Sequence, residues 1–330
     1  MKSITIVFAA VTIIAAGCGG TDTPSVSAPD SVDTSNWDVQ GHRGARGVRP
    51  ENTLPAFEAA LDVGVSTLEL DLHLSADGVV VIWHDPRIEA AKCRDTDPAL
   101  PSVTLEPLIN SLTAAQLATY ICDQNPDPGK YPDQTADAGA ITGDSYGLAT
   151  LEQLFEMVSK YAESDAVAEE RSANAASVQF NIELKRDPRN PNAIGDSFDG
   201  TNPAEFETAV ADLVAAWGYE DRVIVQSFDH RSLWALHTLA PSIRLAALTS
   251  GDIPDLDELA SAGASIWSPR HTSLSADLVA AAAAAGLGVI PWTVNDEGDV
   301  CSLLDMGTDG VITDRPDLVL GAEGWLAGCN

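Results

Sequence analysis

Residues 41–85 read GHRGARGVRPENTLPAFEAALDVGVSTLELDLHLSADGVVVIWHD. Within this stretch, Glu69, Asp71 and His73 alternate with leucines. Successive side chains of a β-strand point to opposite faces, so the ionisable groups share one face and the leucines share the other. Ionisable groups on one side of an otherwise apolar strand indicate a functional site at that face.

Polar groups also stand where the neighbouring elements of this stretch are expected to begin or end. A short apolar segment precedes His42, and residues 50–53 are typical of a helix start in which Asn52 bonds the first-turn backbone. After a tight turn, the apolar run 79–83 is expected to be a strand that carries His84 at its far end. We therefore expect His42 and His84 to close two separate strands at the same end of the sheet.

These motifs resemble those of the glycerophosphodiester phosphodiesterase family. In chain order they are His42-Arg43-Gly44, Pro50-Glu51-Asn52-Thr53, Glu69-Leu70-Asp71 and His84-Asp85. Later segments are also similar to the family: Glu183-Leu184-Lys185, Gln226-Ser227-Phe228, Trp292-Thr293-Val294-Asn295 and residues 310–316. Several motifs in order are more specific than any one alone, and the resemblance covers roughly residues 38–320 apart from an insertion at 86–149.

Predicted strands and helices alternate along the chain on both sides of a long insertion. Eight strands are predicted, ending near His42, Asp71, Glu183, Gln226, Leu248, Trp267, Trp292 and Thr313. Alternating βα units in that number predict a parallel (β/α)8 TIM barrel over residues 37–322, followed by a tail at 323–330. The polar residues fall at the carboxyl ends of these strands, where barrel active sites lie.

The insertion at residues 86–149 interrupts this rhythm. Proline, glycine and aspartate recur in it, and only residues 113–120 are typical of a helix. Because the insertion follows His84, we expect it to lie over the mouth of the barrel. It is interpreted as a lid or a substrate-selecting segment, and a plain surface excursion is the alternative.

The N-terminus is typical of an exported protein. Residues 1–17 contain Lys2 and a short apolar run, as a signal peptide does, and small residues precede Cys18 as in bacterial lipoproteins. Residues 18–36 are then a lipidated cysteine and a flexible linker. This predicts a protein on the periplasmic side of a bacterial membrane or at the cell surface, anchored through Cys18. An ordinary secreted protein is the alternative.

The charge of the chain limits its partners. The formal net charge is −31, from 49 acidic and 18 basic residues. Such a surface excludes nucleic acid and leaves the lipid anchor as the only expected membrane attachment. A small-molecule phosphodiester is itself an anion, so its site needs local positive charge from Arg43, Lys185 and a bound cation.

The cysteine count fits an oxidising compartment. With Cys18 assigned to lipid, four of the five cysteines remain, and these allow three connectivities. We hypothesise that Cys93 pairs with Cys122 and that Cys301 pairs with Cys329.

Candidate metal ligands come from two predicted strands. Glu69, Asp71 and Glu183 offer carboxylates that repel one another unless a cation lies among them. All-oxygen ligation suits one divalent cation, Ca²⁺ or Mg²⁺, and the family resemblance implies such a trio. The alternative is a cluster neutralised only by Arg43 and Lys185.

The candidate catalytic groups are His42 and His84. A histidine pair can donate and accept protons near neutral pH. The resemblance implies that a glycerol hydroxyl attacks the phosphorus and that water later opens the cyclic phosphate. Arg43 and Lys185 would bind the phosphate.

Other strand-end residues have more open roles. Gln226 and Trp292 are expected to line the pocket, although Trp292 could also plug the core. His73 is either at the edge of the metal site or bonded to a rim loop. Asp85 is expected to orient His84.

The resemblance implies metal-dependent hydrolysis of glycerophosphodiesters to glycerol 3-phosphate and an alcohol. The alternative with the same site is phospholipase D-type cleavage of lysophospholipids. A barrel glycosidase using Glu69 and Glu183 would leave the histidines idle. A lipoprotein that only binds phosphorylated ligands would not need them.

Overall fold

The computed structural model describes Thr34, residues 36–96 and residues 106–329. The predicted signal peptide at 1–17, Cys18 and nearly all of the 18–36 linker lie outside the described residues, as does part of the insertion. None of the helices in the described part is long and apolar enough to span a membrane.

In the described chain, strands and α-helices alternate strictly from Gln179 to Leu320. The strands are β1 Asp38–Gly41, β2 Thr67–Leu74, β3 Val80–Ile82, β4 Arg94–Asp95, β5 Tyr120–Ile121, β6 Gln179–Leu184, β7 Val223–Ser227, β8 Arg244–Thr249, β9 Ile266–Pro269, β10 Gly288–Val289 and β11 Gly310–Thr313. The α-helices are α1 Leu54–Val63, α2 Ala114–Leu117, α3 Leu151–Ala162, α4 Glu169–Ser177, α5 Glu205–Trp217, α6 His230–Leu239, α7 Leu256–Ser261, α8 Ala276–Ala284, α9 Glu297–Asp305, α10 Pro316–Leu320 and α11 Trp325–Gly328.

Eight of these strands form a parallel barrel. Their order is β10-β9-β8-β7-β6-β2-β1-β11, and each neighbouring pair is parallel. Backbone hydrogen bonds bring the two ends together: Asp309 N donates to Val289 O at 2.9 Å and Ile312 N donates to Pro291 O at 2.9 Å. The predicted (β/α)8 architecture is confirmed. The strand expected at 289–294 is regular only over Gly288–Val289.

The main core lies between the barrel and its helices. The leucines of β2 point outward into it, where Leu68, Leu70 and Leu72 are fully buried. A smaller cluster fills the barrel interior and consists of Ile224, Ala246, Ile266, Ile290 and Ile312. The alternation along β2 therefore sends Glu69 and Asp71 inward, toward the carboxyl end of the barrel.

The segment that carries His84 is not a parallel strand. β3 pairs with β2 in antiparallel orientation, with Leu74 opposite Val80 and Leu72 opposite Ile82. Gly78 has a φ of 78° and closes the turn between the two strands. β2 therefore extends past the barrel mouth and β3 returns to it. His84 reaches the mouth expected from the sequence, but from the opposite strand direction.

The insertion is ordered in most of its described part. It contains the β4–β5 pair, a 3₁₀ turn at Ile109–Ser111 and the short helix α2. Apolar side chains pack beneath it, among them Trp83, Ile88 and Leu117. The helix expected over 113–120 is thus confirmed in a shorter form.

Polar contacts attach the insertion to the barrel. The buried carboxylate of Glu58 accepts hydrogen bonds from Ile141 N and Thr142 N, both at 2.8 Å. Arg315 Nη1 pairs with Asp133 at 2.8 Å. These contacts favour a docked, site-forming segment over a freely opening lid.

The hypothesised disulfides are both present. Cys93 is bonded to Cys122 within the insertion, and Cys301 on α9 is bonded to Cys329 after α11. The first bridge holds the insertion at two points, and the second ties the C-terminal segment to the barrel.

The helix α4 was not predicted, since its sequence is polar and lacks an apolar stripe.

We expect the two disulfides to stabilise the protein to a similar extent, because they close loops of 29 and 28 residues. Replacing either cysteine pair by serine should lower the free energy of unfolding by about 3–4 kcal/mol. Urea titration followed by tryptophan fluorescence would measure both losses. A negligible loss for either pair would contradict the expectation.

Candidate active site

Three carboxylates meet at the carboxyl end of the barrel. Glu69 and Asp71 lie on β2, and Glu183 lies opposite Asp71 on the neighbouring strand β6. One oxygen from each lies within 4.8 Å of the others. All three residues are buried. The trio predicted from the sequence is therefore brought together by strand register alone.

The electrostatics of this trio fit a bound cation. Burial raises the pKa of Glu69 well above its ordinary value, and the Asp71 and Glu183 carboxylates raise it further. Burial also raises the pKa of Glu183, although Lys185 opposes the shift. Asp71 Oδ1 is buried without a hydrogen-bond partner among the described residues, with Lys185 Nζ 3.4 Å away. Three oxygen donors without nitrogen or sulfur would suit Ca²⁺ or Mg²⁺.

Neighbouring groups hold Glu69 in place. Gln226 Nε2 donates to Glu69 Oε1 at 2.8 Å, and the backbone N–H of Arg43 donates to Glu69 Oε2 at 2.9 Å. Asn181 Nδ2 in turn donates to Gln226 Oε1 at 3.1 Å. Gln226 borders the pocket as predicted, and its amide also fixes the orientation of a candidate metal ligand.

Asn52 has a different role from the one expected. It donates from Nδ2 to Asp71 Oδ2 at 2.8 Å, and its φ of 56° turns it away from the helix. Thr53 caps α1 instead, by accepting from Ala56 N. The expectation that Asn52 bonds the first-turn backbone is wrong, because the left-handed backbone directs its amide into the site.

His42 is held by a buried carboxylate. Its Nδ1 lies 2.5 Å from Asp314 Oδ1. Asp314 also accepts hydrogen bonds from Arg46 Nε and Arg46 Nη2, both at 2.9 Å. Burial lowers the pKa of His42 to about 4, and Arg46 contributes to the shift while Asp314 opposes it. His42 is therefore neutral near pH 7, with Nδ1–H donating to Asp314. Its Nε2 is then an acceptor, 3.9 Å from Glu69 Oε2.

His84 is held in a similar way but is more exposed. Its Nδ1 contacts Asp85 Oδ1 at 3.1 Å, as predicted. Lys92 Nζ, from the insertion, contacts Asp85 Oδ2 at 2.8 Å. Burial alone would raise the pKa of Asp85, but His84 and Lys92 together hold it well below its ordinary value.

His73 supports the loop that carries His84. Its Nε2–H donates to the backbone carbonyl of His84 at 3.2 Å. Burial lowers the pKa of His73 to about 4, so the ring is neutral near pH 7. Of the two roles considered from the sequence, bonding to a rim loop agrees with this contact.

The two basic residues expected at the phosphate both face the trio. Arg43 has a φ of 52° and places Nε 3.2 Å from Asp71 Oδ2, and Lys185 Nζ lies 2.8 Å from Glu183 Oε1. Burial alone would lower the pKa of both, but the neighbouring carboxylates raise it. Both side chains are therefore cationic at neutral pH.

Glu51 belongs to the site and not only to a helix start. It is largely buried, 3.0 Å from Arg43 Nη1, 3.2 Å from Arg46 Nη1 and 3.0 Å from Lys92 Nζ. Burial would raise its pKa, but Arg43, Lys92 and Arg46 outweigh that effect and lower it to about 2. Its sequence context, typical of a helix start, did not indicate this role.

Four further residues around the histidines were not identified from the sequence. They are Arg46, Lys92, Asn295 and Asp314, of which Asn295 Nδ2 donates to Asp314 Oδ2 at 2.8 Å. Asn295 and Asp314 lie in segments that resemble the family, so a signal existed for them. No comparable signal marked Arg46 or Lys92.

One cavity brings the predicted residues together. It has a volume of about 390 Å³ and is bordered by His42, Arg43, Glu69, His84, Glu183, Lys185, Gln226 and Trp292. Trp292 donates from Nε1 to Ser268 O at 2.9 Å and meets Phe228 edge-on, with ring centroids 5.4 Å apart. Trp292 thus borders the cavity and also packs against the apolar cluster in the barrel interior. A second cavity of about 400 Å³ adjoins it at His84 and Lys185.

Comparisons with known proteins agree with this geometry. The model of the glycerophosphoryl diester phosphodiesterase family matches residues 42–318. A glycerophosphodiester phosphodiesterase of Bacillus altitudinis is 30% identical over 283 residues, which are 84% of this chain and 95% of that protein.

Solved structures show the same fold. A Silicibacter pomeroyi protein assigned as a glycerophosphoryl diester phosphodiesterase is 28% identical and has a TM-score of 0.69, covering 85% of this chain and 90% of that one. A phosphodiesterase of Oleispira antarctica, solved with the product sn-glycerol-3-phosphate, has a TM-score of 0.63 at 22% identity. It covers 87% of this chain and 96% of that one.

We expect Glu51→Gln to destabilise the protein by about 3–5 kcal/mol, because it leaves three buried or half-buried cations without their shared partner. The folded-state pKa of Glu51 is lowered to about 2, so its contribution is complete above about pH 4.5 and is lost as the pH falls toward 2. Thermal unfolding of the variant should therefore depend less on pH in that window.

Glu156→Gln is the matched control, since Glu156 is exposed on α3. Its effect should stay within about 0.5 kcal/mol. Equal stability of the Glu51 and Glu156 variants would rule out the proposed role of Glu51.

Proposed function

The chain belongs to the glycerophosphoryl diester phosphodiesterase family, and we propose that it hydrolyses glycerophosphodiesters to glycerol 3-phosphate and an alcohol in a metal-dependent reaction. The observation that carries the proposal is the grouping of Glu69, Asp71 and Glu183 beside two histidines, each held by an aspartate. The product bound to the Oleispira antarctica structure supports the same substrate class.

The trio would hold the cation, Ca²⁺ or Mg²⁺. When bound, such an ion neutralises charge on the phosphate and lowers the pKa of a hydroxyl group beside it. Gln226, Asn52 and the backbone of Arg43 orient the ligand oxygens. These hydrogen bonds pre-organise the ligand oxygens of the trio.

Arg43 and Lys185 would bind the substrate phosphate. The Arg43 guanidinium lies 3.2 Å from Asp71, and the Lys185 ammonium group lies 3.4 Å from Asp71 and 2.8 Å from Glu183. A metal ion bound by those carboxylates would weaken these ion pairs. The N–H groups of Arg43 and Lys185 could then donate to phosphate oxygens. Arg43 offers a planar fork and Lys185 offers a compact charge.

We assign the base to His42. A neutral imidazole with Nδ1–H donated to Asp314 presents a lone pair on Nε2, and this nitrogen faces the trio. It is placed to accept the proton of the attacking glycerol hydroxyl. Asp314 then stabilises the imidazolium that forms, as a carboxylate does in other His–Asp pairs.

We assign the acid to His84. Asp85 and Lys92 fix its ring, and its exposed edge lies where the two cavities meet. It is placed to donate a proton to the departing alkoxide. In the second step the roles reverse: His84 accepts a proton from water, and His42 returns a proton to the glycerol oxygen.

The alternative activities are less well supported. Cleavage of lysophospholipids is not favoured, since the relatives described above are named for glycerophosphodiesters. A glycosidase would require Glu69 and Glu183 to act as separate acid and nucleophile. Glu69 and Glu183 instead share one cluster with Asp71. A glycosidase mechanism would also give no role to the two histidines.

We expect His42→Ala to lower kcat on glycerophosphocholine by roughly 10²–10⁴-fold, because it removes the general base. Exhaustive chelation should abolish turnover, and Ca²⁺ or Mg²⁺ should restore it. Release of glycerol 3-phosphate measures both effects. His237→Ala is the control, because His237 lies on the last turn of α6, at the opposite end of the barrel.

Two results would contradict the mechanism. Turnover that survives in the His42 variant would exclude His42 as the base. Turnover that survives thorough chelation, with the metal content checked by mass spectrometry, would exclude metal dependence.

We also infer that the protein is exported and lipid-anchored at Cys18. The apolar run before Cys18 and the two disulfides among the remaining cysteines support this location. Metabolic labelling with a tagged fatty acid should mark the wild type and not Cys18→Ala, which should also leave the membrane fraction. Labelling of the variant would refute the anchor.

A further inference from the structure

One basic side chain at the 390 Å³ cavity stands apart from the others. Arg43, Arg46 and Lys185 border the cavity, and each forms an ion pair with a carboxylate. Lys130 also borders it, but no carboxylate pairs with its ammonium group within the part of the chain that the structure describes. Lys130 comes from the insertion, which also supplies Lys92, the ion-pair partner of Asp85.

We propose that Lys130 is a substrate-binding residue, whose ammonium group pairs with an anionic oxygen of the phosphodiester in the cavity. This inference rests on the proposed function and extends it to the insertion. It makes the insertion part of the binding site, and not only a support for His84.

The backbone around Lys130 is held in place. Lys130 N and Tyr131 N both donate to Asp127 O, at 3.1 and 2.9 Å. Asn125 Nδ2 donates to Tyr131 O at 2.7 Å. The Cys93–Cys122 disulfide fixes the start of this segment. A charge on a constrained loop loses less entropy when it binds a ligand than a charge on a free one.

Tyr131 connects Lys130 to the catalytic machinery. The Lys130 Nζ lies 4.9 Å from the centre of the Tyr131 ring, and the Arg46 guanidinium lies 5.1 Å from the same ring. Gln134 Nε2 donates to Arg46 O at 2.7 Å and fixes the far end of the segment. Lys130 is therefore positioned at the rim, near Arg46, which binds the aspartate partner of His42.

The charge of the whole protein gives this lysine its importance. A chain with a net charge of −31 repels an anionic substrate, so cationic groups at the entrance should raise the local concentration of that substrate. The paired bases contribute little to such a field, because their carboxylate partners cancel it. Lys130 is exposed and lacks such a partner among the described residues, so its charge is available to the entering phosphate.

The adjoining cavity offers no equivalent. Its basic residues are Lys185, Arg186 and Arg189, and each is paired with a carboxylate. The 390 Å³ cavity therefore has an unpaired positive charge among its described bordering residues, and the adjoining cavity has none. An anionic group is attracted to the side that Lys130 borders.

Steady-state kinetics on glycerophosphoglycerol, whose only charged group is the phosphodiester, test the proposal with a charge series at position 130. Lys130→Met should raise KM roughly three- to tenfold, as expected for one partly exposed ion pair, and leave kcat within about twofold. Lys130→Glu should raise KM further, and Lys130→Arg should stay close to the wild type. The difference between wild type and Lys130→Met should shrink in 1 M salt, where the Debye length is about 3 Å.

Lys160→Glu is the matched control. Lys160 is exposed at the end of α3 and has no ion pair within the described residues. Lys160→Glu changes the net charge of the protein by the same amount as Lys130→Glu. Its KM should equal that of the wild type. A shift as large as that of Lys130→Glu would show that only total charge matters and would overturn the proposal.

Other outcomes also decide the matter. Unchanged KM in both Lys130→Met and Lys130→Glu would overturn it, and so would a fall in kcat at constant KM, which would indicate a structural role. Wild-type protein that cleaves no glycerophosphodiester would refute the proposed function instead. In that case calorimetric titration with glycerol 3-phosphate still tests Lys130, since weaker binding by Lys130→Glu supports its role and equal binding excludes it.

Discussion

The structure of the site depends on the burial of three carboxylates at the ends of two adjacent strands. Glu69, Asp71 and Glu183 are almost inaccessible to water. Burial and the neighbouring carboxylates raise the pKa of Glu69 and Glu183, whereas Arg43 and Lys185 outweigh the effect of burial on Asp71 and lower its pKa. Such a cluster is stable only if cations surround it. Arg43 and Lys185 supply two of them, and a divalent ion would supply the rest. The polar residues nearby follow from this requirement, because amide and backbone donors must hold each oxygen where the positive charge lies.

Much of this arrangement could be predicted from the sequence, because its signals are local. Alternation along β2 identifies which side chains face inward, and polar residues at strand ends identify the mouth of a barrel. The tight turn expected at 75–78 joins β2 to β3, although the sequence analysis left the direction of β3 open. Four residues are too few for a parallel crossover, which needs a dozen or more, so the turn length itself favours a hairpin and the route by which His84 reaches the site.

The remaining site residues could not be predicted in the same way, because their partners are distant in sequence. Glu51 and Asn52 belong to a segment typical of a helix start, and only the left-handed backbone of Asn52 turns its amide toward Asp71. Lys92 lies in an insertion without a regular pattern, and it reaches Glu51 and Asp85 because the insertion docks on the barrel. Local propensity contains no information about such docking.

The docked insertion also connects the two histidines. Ion pairs and hydrogen bonds run without a break through His42, Asp314, Arg46, Glu51, Lys92, Asp85 and His84. The five groups between the histidines alternate in charge, so each neutralises its neighbours, and removing one leaves two unbalanced. Because Lys92 belongs to the insertion, movement of that segment away from the barrel would release Asp85 and the ring of His84. These contacts therefore favour an insertion that stays docked, as a structural part of the cluster around His84, over a lid that opens above an intact site.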